Sequence, residues 1–448
     1  MNKLKKSVKI AMLGALLMVG VGLSGCKSNN KSVSLKGDYT AYLQGNDWGE
    51  NLSQITVHLN QKVDGDSLNK KDFKITEVKD TFDWTKPDKG VFEVKNPRTI
   101  QAVYISDKTG KKVKDSSEYV TFKMGATPYE GRYYFLSPDA ASSQYPEKYE
   151  LNIKLQKDAK LTSEGNKVEK LTVSPKIKSL KTDADQFKVA KFHAKDNVDY
   201  QYAYFEPKEK SDTLVVWLHG LLEGGSKNTD PYITLLSNKA RILADEPFQK
   251  TIGNANVLVP QCPSFWMDKS GKDELVNGKI VSDGTSYYLD SLHELIQSYK
   301  EKVGAKKVLI AGCSNGGYMG MLMAKTYGKE YDGYMLICEA MEDRFLSDSD
   351  IQKLKDLPLY FVYSKDDPTV IPSENEEPTI ARLKAAGAKN VQVAHFEHIV
   401  DQTGKIKDEK GQPYDFGGHS SWVYFFDNAV NTNDTNVNAW EWLAAQVK

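Results

Sequence analysis

Cysteine is scarce in this sequence: four residues in 448, at positions 26, 262, 313 and 338. Apart from Cys26, the three others allow one disulfide at most, so a disulfide framework is excluded, and their spacings fit no zinc motif. Free buried thiols are the simpler expectation, with a Cys313–Cys338 bridge as the alternative, because both residues follow apolar strand-like runs. An excess of either charge is also missing, since 60 Lys and Arg face 60 Asp and Glu. A nucleic-acid binder carries a basic surplus, so no nucleic-acid partner is expected. There is no internal repeat and no long low-complexity tract. What is present is an ordinary globular balance of 40% apolar and 27% charged residues, which excludes general disorder. A chain of 448 residues suits two or three domains.

The N-terminal segment has its own texture. Lys3, Lys5, Lys6 and Lys9 precede an apolar and small-residue run over 10–23, followed by Leu23-Ser24-Gly25-Cys26. The run is too short to span a bilayer and reads as a signal peptide. The string Leu-Ser-Gly-Cys resembles the lipobox of bacterial lipoproteins. That resemblance implies cleavage before Cys26, a lipid on Cys26, and an extracytoplasmic protein anchored to the bacterial cell membrane. The alternative is an ordinary cleavage site beside a chance cysteine. Cleavage removes four lysines and no acids, leaving a net charge of −4, so acyl chains and not charge would hold the protein to an anionic membrane. Residues 26–36 are polar and suit a tether.

Two larger regions follow. Over 37–160, short alternating runs such as Gln54-Ile55-Thr56-Val57-His58-Leu59 are broken by polar turns. Period-two alternation with frequent turns predicts an all-β, immunoglobulin-like sandwich. His58 lies in that strand pattern and is read as a packing or surface residue. Over 171–448 the pattern changes. Apolar runs at 214–218, 257–259, 308–311, 334–337, 359–363 and 391–396 alternate with helical spacing at 287–299, 318–327 and 380–386. Continuous apolar strands between helices predict an α/β domain, a mostly parallel sheet with helices on both faces.

Four motifs on this second region carry chemistry. Gly312-Cys313-Ser314-Asn315-Gly316 follows one strand and opens a helix. In that context G-x-S-x-G sets Ser314 on a tight strand-to-helix turn, with the helix N terminus behind it to stabilise negative charge. His219-Gly220-Leu221-Leu222-Glu223 follows the 214–218 strand and resembles the His-Gly loop that supplies an oxyanion-hole amide in α/β-hydrolases. That resemblance implies Leu221 and Asn315 as the donors, with His219 the residue that orders the loop. Ser364-Lys365-Asp366-Asp367-Pro368-Thr369-Val370 follows the 359–363 strand. Asp367 is the expected acid, with Asp366 as runner-up. His419, in Gly418-His419-Ser420-Ser421-Trp422, precedes the last apolar helical stretch and is the expected base, ahead of His398, while His395 reads as structural. Serine is a weak nucleophile until imidazole takes its proton, and the carboxylate fixes the tautomer. The order Ser314, Asp367, His419 is the α/β-hydrolase order. Trp266 and Tyr318 are candidate walls of the substrate pocket, with core packing as the alternative. No metal or organic cofactor is expected.

The stretch 214–430 resembles the secreted esterase and predicted-peptidase group of α/β-hydrolases, near the prolyl oligopeptidase-like branch. The carrying strings are Trp217-Leu218-His219-Gly220, Pro260-Gln261-Cys262-Pro263, Gly312 to Tyr318, Ser364 to Pro368 and Gly418 to Trp422. The part of the chain up to residue 160 resembles the immunoglobulin-like domain found ahead of some bacterial esterases. Together these resemblances imply hydrolysis of small to medium carboxylic esters, glycan-linked ones included. Leu221 and Leu222 stand where many relatives have glycine. A serine peptidase and a non-catalytic surface-binding lipoprotein are the competing readings. The first lacks a β-propeller to gate peptides, and the second gives no reason to keep all three triad residues.

Overall fold

The computed structural model describes residues 32–137, 142–225, 230–273 and 280–448. The signal peptide over 1–25 and the lipidation site Cys26 lie outside the described residues. No described helix is long and apolar enough to cross a membrane.

The N-terminal part is all β. Ser32–Asn46 and Gly49–Asp64 run antiparallel, with Tyr39 opposite Val57. Alternate residues Tyr39, Ala41 and Leu43 are fully buried, the period of a strand with one face inward. This pair lies inside a seven-stranded sheet. A second sheet of three strands, Val91–Arg98, Phe73–Phe82 and Tyr149–Leu155, packs on it, and Phe73 meets Phe122 edge-on at 5.0 Å across the interface. The architecture is the expected immunoglobulin-like sandwich. Its extent differs from the expected 37–160. Strand pairing begins at Ser32, Asn166–Val173 adds parallel to the first strand, and Ser179–Thr182 pairs farther along it. These late strands belong to the first sheet, so the catalytic part does not begin at 171.

The catalytic sheet has eight strands: β1 (Lys188–His193), β2 (Asp199–Phe205), β3 (Thr213–Leu218), β4 (Asn256–Gln261), β5 (Lys307–Cys313), β6 (Gly333–Ile337), β7 (Leu359–Ser364) and β8 (Val391–Phe396). Their spatial order is β1-β2-β4-β3-β5-β6-β7-β8. The β1-β2-β4 edge is antiparallel and the rest is parallel. Every residue of β3 is buried, because both faces are covered. Leu214, Val216 and Leu218 pack into the core with helices Leu289–Val303 and Asn315–Tyr327. Val215 and Trp217 face the opposite core, where Trp217 stacks on Phe425 at 5.9 Å. That second core is continuous with the interior of the β-sandwich. The two domains are further joined by Lys239, whose ammonium lies 2.6 Å from Asp47 and 2.5 Å from Asp427, and by Arg241 with Asp183 at 2.5 Å. Strand order reverses between β3 and β5, and ligand sites in open α/β sheets form at such a crevice, outside the carboxyl ends of the strands.

Candidate active site

Ser314 sits between β5 and helix Asn315–Tyr327 with φ +54° and ψ −117°. A non-glycine residue rarely adopts this conformation, and it persists only where the surroundings enforce it. Here the Ser314 amide donates to the Ile337 carbonyl at 2.9 Å. The neighbours are small for a steric reason: a Cβ on Gly316 would fall onto the Leu218 carbonyl, and one on Gly312 would lie 2.5 Å from the Gly316 carbonyl.

The structure brings the three expected triad residues together. His419 Nε2 lies 3.0 Å from Ser314 Oγ, and its Nδ1 lies 2.7 Å from Asp367 Oδ2. The Asp367 side chain is 1% exposed and that of His419 22%. The other Asp367 oxygen accepts from the amides of Thr369 and Val370 at 2.8 and 2.9 Å, which aims Oδ2 at the imidazole. Asp366 is turned elsewhere, accepting from the Ser364 hydroxyl at 2.7 Å and bridging to His398. His398 also contacts Asp415 at 2.7 Å, so it ties the acid loop to the base loop and does not approach Ser314. His395 lies on β8 beside Tyr363.

His219 is fully buried. Its Nδ1 faces the Gly220 carbonyl at 2.6 Å and its Nε2 accepts from the Cys262 amide at 2.9 Å. That pairing requires neutral imidazole, and burial pushes its pKa down to about 4. The ring fixes the loop on which Leu221 opens a short 3-10 turn. Leu221 lines the cavity beside Ser314. Asn315 is the first residue of its helix, so its amide has no intrahelical acceptor. The Asn315 side chain does something the sequence did not suggest: Oδ1 accepts from the Trp266 amide at 2.6 Å, pinning the nucleophile turn to the loop after β4.

Trp266 and Tyr318 are not pocket walls. Both are fully buried. The Trp266 indole donates to the His219 carbonyl at 3.2 Å, and the Tyr318 hydroxyl donates to the Thr285 carbonyl at 2.8 Å. They hold the site from beneath. The walls come instead from Trp422, beside His419, and from Trp48, Arg132 and Tyr134 of the N-terminal domain, in a cavity of about 460 Å³ that reaches Ser314 and His419. A second cavity of about 470 Å³ shares Leu221, Ser314 and Thr369 and extends toward Met267, Arg344 and Asn375. Ser314 thus lies where two cavities meet, each of a size that suits a small ligand.

Cys262, Cys313 and Cys338 are free and buried. The Cys338 sulfur lies within 4.8 Å of the donor atoms of Asp367 and His419, a grouping that could in principle ligate a cation. Burial drives its thiol pKa well up, so it stays protonated, and the other two donors are engaged with each other. The arrangement serves a proton relay better than a metal.

A strained serine, an imidazole and a buried carboxylate at the carboxyl edge of this sheet define an α/β-hydrolase. Comparison with known proteins agrees. Residues 38–167 match the esterase Ig-like N-terminal domain, and residues 202–404 match the phospholipase/carboxylesterase family. The chain therefore joins a region that matches the esterase immunoglobulin-like domain to an α/β-hydrolase domain that matches the phospholipase/carboxylesterase family. The crystal structure of a thermostable esterase superposes with a TM-score of 0.64 at 20% identity, over 87% of this chain and 96% of that one. An esterase from Pyrococcus furiosus (TM-score 0.34, 16% identity, 48% of this chain and 84% of that one) and a thermostable carboxyl esterase from Bacillus coagulans (0.33, 12%, 47% and 89%) overlap only about half of it. No curated protein matches.

Proposed function

We propose that the protein is a serine carboxylesterase acting through an acyl-enzyme. The observation that carries this reading is the unbroken chain Ser314 Oγ, His419, Asp367 with contacts of 3.0 and 2.7 Å at a strained strand-to-helix turn. Ser314 Oγ attacks the ester carbonyl while His419 Nε2 takes its proton. Asp367 holds the Nδ1 proton and stabilises the imidazolium. The amides of Leu221 and Asn315 receive the developing oxyanion, each such donor contributing about 3–4 kcal/mol in the transition state. His419 then protonates the departing alcohol, and water repeats the sequence to release the acid and restore Ser314. No step calls for a metal or an organic cofactor. The two cavities meeting at Ser314 suit an acyl group on one side and an alcohol on the other, small-molecule or glycan-linked.

The proposed place of action is the outer face of the cell membrane, held by a lipid on Cys26. The Lys-rich start, the short apolar run and Leu23-Ser24-Gly25-Cys26 support it. A fluorophosphonate probe examines the chemistry: labelling of the wild-type protein on Ser314, absent in Ser314→Ala, is expected. Labelling elsewhere, or none in a protein that turns over esters, would overturn the serine mechanism. Fractionation of cells producing the full chain and its Cys26→Ser variant examines the location. Equal membrane association of both would contradict the anchor.

A further inference from the structure

Arg132 is the unusual group in the cavity that reaches Ser314 and His419. Its Nη2 donates to the Trp48 carbonyl at 2.7 Å, and its guanidinium lies 5.6 Å from the Tyr134 ring centre. The buried Nε has no hydrogen-bond partner. Among the described residues no carboxylate forms an ion pair with this side chain. Asp47 is bound to Lys239 at 2.6 Å. Glu223 is buried, and desolvation pushes its pKa up to about 7. Glu50 is fully buried, and burial pushes its pKa up to about 8. Burial favours its neutral form against the pull of Arg132 itself. The protein thus meets only part of this guanidinium's hydrogen-bonding capacity, and a ligand anion would complete it. Guanidinium offers a planar fork that matches a carboxylate.

We propose that Arg132 is a specificity-determining residue: its guanidinium binds a free carboxylate carried by the substrate, on the part of the ester that lies along the Trp48 and Tyr134 wall. The substrate class is then a monoester bearing a second, ionised carboxyl group. This rests on the serine-esterase reading and adds to it a role for the N-terminal domain in choosing the substrate.

The experiment compares matched ester pairs with the full chain. Mono-p-nitrophenyl adipate against p-nitrophenyl hexanoate puts the charge on the acyl side. 4-Acetoxybenzoate against its methyl ester puts it on the alcohol side. The anionic member of one pair is expected to exceed its neutral match in kcat/KM by about tenfold, the scale of one well-placed ion pair, and the ratio should shrink as salt rises. In Arg132→Gln that ratio is expected to fall by about tenfold, chiefly through KM, with part of it restored in Arg132→Lys. A wild-type ratio at or below one in both pairs, or a ratio untouched by Arg132→Gln, overturns the proposal. The wild-type ratio and its salt response decide the matter even if the glutamine variant does not fold. Neutral esters hydrolysed through Ser314 with a flat ratio would sink this inference alone. No hydrolysis of any ester and no fluorophosphonate labelling would sink the esterase reading with it.

Discussion

Replacing Asp367 by Asn tests the relay at its buried end. The carboxylate uses Oδ1 to accept from the Thr369 and Val370 amides at 2.8 and 2.9 Å, and Oδ2 to face His419 Nδ1 at 2.7 Å. An asparagine keeps the shape but has one oxygen and one NH2. Turned so that its oxygen meets the two amides, it presents NH2 to Nδ1. Nδ1 must then be the acceptor, the proton moves to Nε2, and His419 cannot take the proton of Ser314. The opposite rotamer restores the tautomer but sets NH2 against two N–H donors. Leaving two buried donors unpaired costs about 2–6 kcal/mol. The competent form is thus depleted by about 30-fold to 10⁴-fold, the upper end matching the loss known for this substitution in Ser-His-Asp triads. The assay is kcat on a p-nitrophenyl ester, with thermal unfolding to verify the fold. Asp366→Asn is the companion, since Asp366 faces His398 and not His419. A loss smaller than about tenfold in Asp367→Asn, or an equal loss in both variants, would refute the reasoning.

Other outcomes follow from the same contacts. Gly316→Ala sets a methyl against the Leu218 carbonyl, and overpacking of this kind costs about 1–3 kcal/mol or more. Its melting temperature should fall by at least about 2 °C, and an unchanged melting curve would show that the turn gives way. Lys239→Met leaves Asp47 and Asp427, which flank it at 2.6 and 2.5 Å, without their shared cation. Since all three are only partly exposed, unfolding in urea should show a loss of about 1–3 kcal/mol, and equal stability would argue that the ion pair does not join the domains. His398 stands between Asp366 and Asp415, and the hydrogen bond with Asp366, outweighing desolvation and assisted by Asp415, raises its pKa. A raised folded pKa means that the stabilisation is complete below the unfolded value near 6.5 and is lost as pH rises through the folded one. The melting-temperature advantage of wild type over His398→Gln should therefore be larger at pH 6 than at pH 9, and a larger advantage at pH 9 would contradict the clamp.

The catalytic half was easy to read because its strands are buried on both faces. Val215 and Trp217 feed one core and Leu214, Val216 and Leu218 the other, so each strand is a continuous apolar run that announces itself. Ser314, Asp367 and His419 each stand in a loop directly after or before such an element, where local motif and fold coincide. The failures have an equally local cause. Asn166–Val173 belongs to the sandwich, yet only Val168 of its residues is fully sequestered. Its alternation is therefore faint, and the change of texture near Leu171 looked like a boundary. Trp266 and Tyr318 adjoin the motifs in sequence, but the turn sends their rings into the core, where each finds a carbonyl. Trp48, Arg132 and Tyr134 had no local signal at all. They reach the cavity only because the two domains share one hydrophobic interior, and domain packing leaves no periodic trace in a single sequence.

The most direct measurement of the central claim is hydrolysis of a chain-length series of p-nitrophenyl esters by protein lacking residues 1–26, beside its Ser314→Ala variant. The account predicts turnover that falls as the acyl chain outgrows the cavities and that vanishes in the variant, with no effect of chelator. Turnover that survives Ser314→Ala, or that disappears when metal is removed, would contradict it.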